Sequence, residues 1–245
     1  MTRWTDVCVF TDAPSTVATP SARDSAEPVI VSWSGGKDSA LALHATLADP
    51  ALRVVALLTT LSLGDDRVSV HGVPRTLVER QAEALGLPLA VARVPRRASN
   101  EIYESAQRSA LLQWRGERVR RVVCGDLFLP DVRDYRDRLF ASVRMSGAYP
   151  LWGADTGELA RRFIALGFRA ILVAVDPAQL DASFAGRELD EGLLHELPRG
   201  ADPCGERGEF HTFVYDGPIF REPVAVRRGA VVEHDGLVYQ DLTPG

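Results

Sequence analysis

The feature that most constrains the fold is a regular alternation, from Pro28 onward, of short apolar runs with longer segments of helical spacing. The apolar runs are rich in β-branched residues, which is typical of strands buried on both faces of a sheet. Because right-handed crossovers return each helix over the sheet, this order predicts an α/β, doubly wound, mostly parallel and Rossmann-like fold. The predicted strands are Val29–Trp33, Val54–Thr59, Leu89–Val94, Arg121–Cys124 and Ala170–Val175.

The chemistry is concentrated in the turn after the first strand, Ser34-Gly35-Gly36-Lys37-Asp38-Ser39. Two adjacent glycines allow a tight turn and a close approach of ligand to backbone. The amides at the start of the following helix attract phosphate oxygens, and Lys37 adds a positive charge. The spacing matches neither the Walker A loop nor the dinucleotide fingerprint. The alternative is an ordinary Ser/Gly turn that caps a helix, but the strand–turn–helix context favours binding of a nucleotide phosphate.

This hexapeptide resembles the SGGxDS loop of the PP-loop ATP pyrophosphatases, a branch of the adenine nucleotide alpha-hydrolase superfamily. The resemblance implies strand order 3-2-1-4-5 and ATP as the nucleotide, cut between its α and β phosphates with Mg²⁺ held at Asp38. The implied nucleotide-binding residues are Ser34, Gly35, Gly36, Lys37, Asp38 and Ser39, with Leu58 and Thr59 beside the adenine. In that strand order, strands one and four diverge at the ligand-binding switch point. Gly125 and Asp126, which follow strand four, are therefore expected to face the same crevice.

A narrower resemblance, to the diphthine–ammonia ligase family and its bacterial members, spans residues 28–242. It is carried by GDLFLPDVRDYR (125–136), YPLWG (149–153), FAGRELD (184–190) and DPCGERGEFHTFVYDGP (202–218). That family joins ammonia to a carboxylate through an acyl-adenylate and releases AMP and pyrophosphate. The resemblance thus implies an ATP-dependent amide ligase whose partners are ATP, ammonia and a small-molecule or protein carboxylate acceptor.

Candidate residues for the acceptor half of the reaction lie in the last of these stretches. Glu206 and Glu209 can bind ammonium or act as a base toward it, and His211 can move a proton. We expect these three residues, with Lys37 and Asp38, to be catalytic. A solvated glycine turn is the alternative for the Glu206–Glu209 loop. Substrate-binding candidates are Arg133, Tyr135, Cys204, Gly205 and Glu206, although Arg133 can equally form a surface pair with Asp131 or Asp137.

Composition and charge narrow the function classes. The net charge of −5 argues against a nucleic-acid partner, and no apolar run is long enough to span a membrane. Three widely spaced cysteines favour a reducing, cytoplasmic location over a disulfide framework. Cys124 and Cys204 adjoin candidate site glycines, so a sulfur-transfer or tRNA-modifying enzyme is one alternative function. A non-catalytic ATP sensor is the other.

The same patterns predict three parts of the chain. Residues 1–27, rich in small and polar side chains, are expected to form a flexible extension that is not a targeting signal. Residues 28–176 are expected to form the nucleotide-binding domain. Residues 177–245 are expected to form a small α+β acceptor region with short antiparallel strands, whose edges could pair two subunits into a homodimer.

Overall fold

The structure is a computed structural model that describes residues 25–245. The predicted flexible extension falls almost entirely on residues 1–24, outside the described residues. The described chain contains a five-stranded parallel sheet in the order β3-β2-β1-β4-β5, which confirms the predicted doubly wound topology. Its strands are β1 (Glu27–Ser32), β2 (Leu52–Leu63), β3 (Leu89–Pro95), β4 (Arg121–Val123) and β5 (Ser146–Ala148).

In the described chain, four helices connect the strands of this sheet and a fifth follows its last strand, where the helical spacing predicts them. Ser99 caps one of them through its hydroxyl, which accepts a hydrogen bond from the amide of Ile102, and Gly86 ends another with a positive φ of 67°. The helices are α1 (Lys37–Leu47), α2 (Arg75–Leu85), α3 (Asn100–Leu112), α4 (Pro130–Ser142) and α5 (Thr156–Ala165).

A second sheet, antiparallel and in the order β7-β6-β9-β8, follows α5. Between β6 and β7 the chain forms a 3₁₀ turn (Ala182–Phe184) and the short helix α6 (Glu191–Glu196). The edge strand β8 is exposed over most of its length, but the predicted homodimer stays a prediction. The strands of this sheet are β6 (Arg169–Val175), β7 (Phe210–Asp216), β8 (Val226–His234) and β9 (Leu237–Pro244).

One strand assignment from the sequence was wrong. Ala170–Val175 was expected in the parallel sheet, but β6 pairs antiparallel with β7 and β9 in the second sheet. The fifth parallel strand is instead Ser146–Ala148, beside β4. This strand has three small residues and no apolar run, so periodicity does not reveal it, whereas β6 is apolar because the core covers it. The predicted domain boundary at residue 176 stays a prediction.

Strand β1 is buried on both faces, and this burial fixes where the turn after it emerges. Val29 and Val31 pack in a core cluster that reaches Phe213 of the second sheet. Ile30 faces the opposite layer, with Phe140 of α4. The turn that follows β1 therefore emerges at the carboxyl edge of the parallel sheet, beside β7. No helix among the described residues is both long and apolar enough to cross a membrane.

Candidate functional site

The phosphate loop, defined here as Ser34–Ser39, closes on itself through its two serines. The Ser34 hydroxyl accepts a hydrogen bond from the amide of Gly36 (3.2 Å), and the Ser39 hydroxyl donates to the Gly36 carbonyl (2.8 Å). Gly36 is the N-cap of α1 and supplies no side-chain cap. The hydroxyl of Thr212 on β7 caps the helix instead, because it accepts a hydrogen bond from the Lys37 amide (3.0 Å). The second sheet thus helps to build the helix start.

A buried glutamine fixes the other side of the loop. Gln81 of α2 donates to the carbonyls of Gly35 (3.0 Å) and Val214 (2.6 Å), and its own carbonyl accepts from the Trp33 indole (2.9 Å). A side chain at Gly35, where φ is +80°, would clash with this amide. One amide side chain therefore joins the end of β1, the loop and β7.

Lys37 and Asp38 form a mostly buried ion pair at the start of α1. The Lys37 ammonium donates to Asp38 Oδ2 at 2.8 Å, and only 3% of the lysine is exposed. Burial opposes the charged form of Lys37, but the negative charge of Asp38 and further acidic groups outweigh it and raise the lysine pKa. Asp38 Oδ1 is buried without a hydrogen-bond partner among the described residues. The pair leaves one carboxylate oxygen for a ligand.

The turn after β4 meets the phosphate loop, as expected. Gly125 packs so tightly that a Cβ atom there would lie 2.7 Å from the Asp38 carbonyl. Asp126 follows it and accepts a hydrogen bond from the Arg136 guanidinium (3.0 Å) through Oδ1, whereas its Oδ2 is buried without a partner in the described part of the chain. The unpartnered carboxylate oxygens Asp38 Oδ1 and Asp126 Oδ2 belong to residues that line the same cavity.

In the acidic loop, defined here as Asp202–Glu209, two carboxylates bind amides of the loop itself and a third lines the cavity that contains Asp38. Asp202 accepts hydrogen bonds from the amides of Cys204 and Glu206, and Glu209 accepts from those of Asp202 and Arg207. These two carboxylates hold the loop in shape. Glu206 accepts from the Leu127 amide (2.9 Å) and lines the cavity beside Asp38. Burial raises its carboxyl pKa from 4.5 to about 7.

Two histidines lie over the phosphate loop. The rings of His71 and His211 of β7 lie with their centroids 4.7 Å apart and their planes tilted by 38°, and His71 Nδ1 donates to the Thr212 carbonyl at 3.2 Å. Burial lowers the pKa of His71 to about 4 and that of His211 well below its ordinary value of 6.5. Both rings are therefore neutral at pH 7 and can accept a hydrogen bond, but burial disfavours the proton-carrying role expected for His211.

Three adjoining cavities form one crevice along the carboxyl edge of the parallel sheet, and all three are lined by Ser32 and Arg136. The inner cavity, about 220 Å³, contains Asp38, Asp126 and Glu206. The middle cavity, about 280 Å³, lies under residues 68–71. The outer cavity, also about 280 Å³, is mainly apolar and is lined by Leu58, Tyr103, Val122, Tyr135, Leu139 and Phe140. The crevice thus runs from charged to apolar.

Several predicted residues do not reach this crevice. Glu209 is buried behind it, and Thr59 is buried without lining the outer cavity, in contrast to its neighbour Leu58. Arg133 lies against the rings of Tyr149 and Trp152 at 4.9 and 4.7 Å, with Asp137 at 3.8 Å, which matches the surface-pair alternative.

The two cysteines in the described part of the chain are poorly suited to sulfur transfer. Cys204 is 1% exposed and donates to the Thr156 carbonyl, and Cys124 is fully buried in the core. Burial raises the pKa of each thiol to about 12, so neither is a thiolate at pH 7. Gly205, between Cys204 and Glu206, has a φ of +65° and packs against the Phe210 carbonyl, so it shapes the loop.

Sequence reasoning missed Arg136, which lines all three cavities. A signal for it was present, because Arg136 shares a helical face with the apolar Leu139, Phe140 and Val143, at spacings of three, four and seven. Arg133, three residues earlier, instead contacts the rings of Tyr149 and Trp152. Gln81 and Thr212 were also missed, and no local pattern marks them, because their partners lie far away in the sequence.

Known proteins and family models resemble this chain over most of its length. The family model "Diphthamide synthase N-terminal domain" matches residues 27–146, and "Diphthamide synthase C-terminal domain" matches residues 155–240. Diphthine–ammonia ligase of Rattus norvegicus is 27% identical over 224 residues, covering 82% of this chain and 83% of the rat protein. The Homo sapiens protein of the same name is 26% identical over 223 residues, with the same coverage.

A shorter match, to diphthine–ammonia ligase of Bos taurus, is 35% identical over 89 residues, covering 34% of this chain and 33% of the bovine protein. The two family models together span both sheets, the first covering the phosphate loop and the second the acidic loop. With both family models matching in chain order, the chain belongs to the diphthamide synthase family, as a PP-loop protein similar to diphthine–ammonia ligase.

Proposed function

We propose that this protein is an ATP-dependent ligase that adenylates a carboxylate and then transfers ammonia to it. One observation carries the proposal: a single crevice gathers a guanidinium, two unpartnered carboxylate oxygens and a carboxyl whose pKa is about 7, and one of those oxygens belongs to Asp38, the partner of the buried Lys37 ammonium. A pure nucleotide sensor has no need of that last group. The names of the relatives, which refer to a ligase using ammonia, support the same reaction class.

Each part of ATP has a matching part of the crevice: phosphates at the charged end and adenine at the apolar end. The phosphate loop would hold the β and γ phosphates with the amides at the start of α1 and the Lys37 ammonium. The apolar outer cavity would hold the adenine against Leu58 and Phe140. Arg136 is shared by the inner and outer cavities, so its guanidinium would contact the α-phosphate between them.

The residues present also fit Mg²⁺, which prefers oxygen ligands from one or two carboxylates together with phosphates. Asp38 and Asp126 each offer a buried oxygen that lacks a protein partner in the described chain. These two residues would hold the ion, which would neutralise phosphate charge. The described residues contain no cluster of three or more His, Cys, Asp or Glu side chains that could hold a metal alone, so the phosphates would complete the coordination.

In the first step, an oxygen of the acceptor carboxylate attacks the α-phosphorus. The bond between that phosphorus and the bridging oxygen to the β-phosphorus breaks, and pyrophosphate leaves with the electron pair. The protein contributes fixed positive charge, from Lys37 and from the start of α1, where negative charge accumulates. The acceptor is thereby converted to an acyl-adenylate.

In the second step, ammonia attacks the acyl carbon, and the bond from this carbon to the AMP oxygen breaks. The attacking nitrogen loses a proton, and Glu206 is the base that would receive it. A carboxyl with a pKa of about 7 is well matched to that task at neutral pH. We assign Glu209 and Asp202 to positioning Glu206, because their carboxylates bind the amides of the acidic loop.

The proposal is tested by incubating the protein with ATP, Mg²⁺, ammonium and a panel of carboxylic acids, and by separating AMP from ADP. We expect AMP and an amide from the wild-type protein and neither from Lys37→Ala or Asp38→Ala. Arg199→Gln, an exposed change, is the matched control and should retain full activity. AMP release that is undiminished in both loop variants would refute the assignment.

A further inference from the structure

A fourth cavity, of about 380 Å³, lies beside the crevice and is not explained by ATP. It forms where the loop 64–74 and the loop after β3 meet the turn between β8 and β9. We call it the side cavity. It shares Tyr103, Val68, Ser69 and Val70 with the middle cavity, so the two are neighbours across that loop. Its volume is in the range of small-molecule sites.

Apolar surfaces form much of its wall. Tyr239 stacks on His234 with ring centroids 4.1 Å apart and planes within 7° of parallel, which gives a flat platform. Val70 faces both cavities and is 56% exposed, although it is a β-branched residue with a positive φ of 67°. A valine in this backbone conformation is rare, and such residues concentrate where function requires them.

The charged part of the wall consists of two arginines and two aspartates, and the arginines have unused hydrogen-bond donors. Arg96 and Arg97 both bind the single carboxylate of Asp235, at 2.5 and 2.7 Å, and Arg96 also reaches Asp65 at 3.4 Å. Each guanidinium has five N–H donors, so this pair has more donors than these two carboxylates use. Arg97 is 84% exposed in its side chain. These unused donors can therefore bind an additional anion.

From this geometry we propose that the side cavity binds the body of the acceptor, and that the acceptor is a small dicarboxylic acid. Its apolar chain lies between Val70 and Tyr239, and one carboxylate pairs with Arg96 and Arg97. The other carboxylate enters the middle cavity past Tyr103 and reaches the α-phosphate. This inference rests on the ligase proposed above, and it names the substrate class of that site.

The test uses the straight-chain α,ω-dicarboxylates from succinate to suberate as probes, with monocarboxylates of equal length beside them, in calorimetric titrations of the full chain. We expect at least one dicarboxylate to bind saturably and its monocarboxylate partner to bind about tenfold more weakly. Arg97→Gln should weaken dicarboxylate binding about tenfold, because it removes a charge-assisted contact. Arg97→Lys should restore part of that loss, and Arg199→Gln should change nothing.

Two outcomes would overturn the inference: no dicarboxylate binds, or Arg97→Gln leaves binding unchanged while circular dichroism shows the variant folded. ATP affinity, measured in the same variants, should stay within about twofold of wild type, because Arg97 does not line the ATP crevice. The two proposals fail separately. Dicarboxylate binding without AMP formation contradicts the ligase and leaves the acid site standing, whereas AMP formation with acids other than dicarboxylates contradicts only the acid site.

Discussion

Replacing Glu206 by glutamine tests whether the carboxyl at the centre of the crevice is held in an environment that disfavours its charge. Burial raises its pKa from 4.5 to about 7. The pKa is thus higher in the folded protein than in the unfolded chain, so the protonated form favours folding. Its contribution is fully present below about pH 4.5 and is lost as pH rises through about 7.

The magnitude follows from this shift. At 1.36 kcal/mol per pKa unit, this shift changes the free energy of unfolding by at most about 3 kcal/mol. The carboxyl is only partly buried, so solvent screening reduces the expected effect to about 1–2 kcal/mol. Glutamine is a neutral isostere that can still accept the hydrogen bond from the Leu127 amide, so it isolates the charge.

Urea unfolding of both proteins at about pH 5 and about pH 8.5 measures the effect. Relative to wild type, Glu206→Gln should gain about 1–2 kcal/mol of unfolding free energy between the two pH values. The exposed Glu117→Gln is the matched control and should give a flat difference. A flat or opposite difference for Glu206→Gln would refute the account of this carboxyl, and with it the choice of Glu206 as the base.

Three further variants test the framework of the site. Gln81→Leu should lower the free energy of unfolding by about 2–4 kcal/mol, because it leaves buried polar groups without partners. In differential scanning fluorimetry the melting temperature should fall by roughly 5–12 °C, and an unchanged melting temperature would contradict this role. Gly125→Ala should reduce ATP affinity at least tenfold, because the added Cβ atom would press against the Asp38 carbonyl. Gly116→Ala is the control and should leave ATP affinity unchanged, because a Cβ atom there meets open space. Equal ATP affinity of the two variants would contradict this packing. Cys204→Ser should retain most AMP formation, and complete loss would favour sulfur transfer.

The parts of the site that sequence reasoning found are those in which local chemistry is sufficient. The phosphate loop is defined by adjacent glycines and a helix start, and Gly125 follows a recognisable strand. Both turns lie at carboxyl ends of parallel strands, so the predicted topology alone brings them together. Glu206 was found in the same way, because a glycine-broken, charged loop commonly carries a site.

The parts that it missed depend on tertiary contacts. Whether Glu206 or Glu209 faces the crevice is decided by which loop amides each carboxylate binds, and the spacing of the two residues does not contain that information. Arg133 and Arg136 lie three residues apart on α4, and only their tertiary contacts separate them: Arg136 binds Asp126 in the crevice, whereas Arg133 lies against Tyr149 and Trp152. Thr212 and Gln81 reach the loop across 175 and 46 residues of sequence.

The central claim is that a carboxylate attacks the α-phosphorus of ATP in the crevice. The most direct measurement uses an acid that supports turnover, labelled with oxygen-18 in its carboxylate, with ammonium and ATP, followed by mass spectrometry of the products. The account predicts one labelled oxygen in AMP and none in pyrophosphate, because the acyl carbon releases that oxygen with AMP when ammonia attacks. Label in inorganic phosphate, accompanied by ADP, would place the attack on the γ-phosphorus and contradict the account.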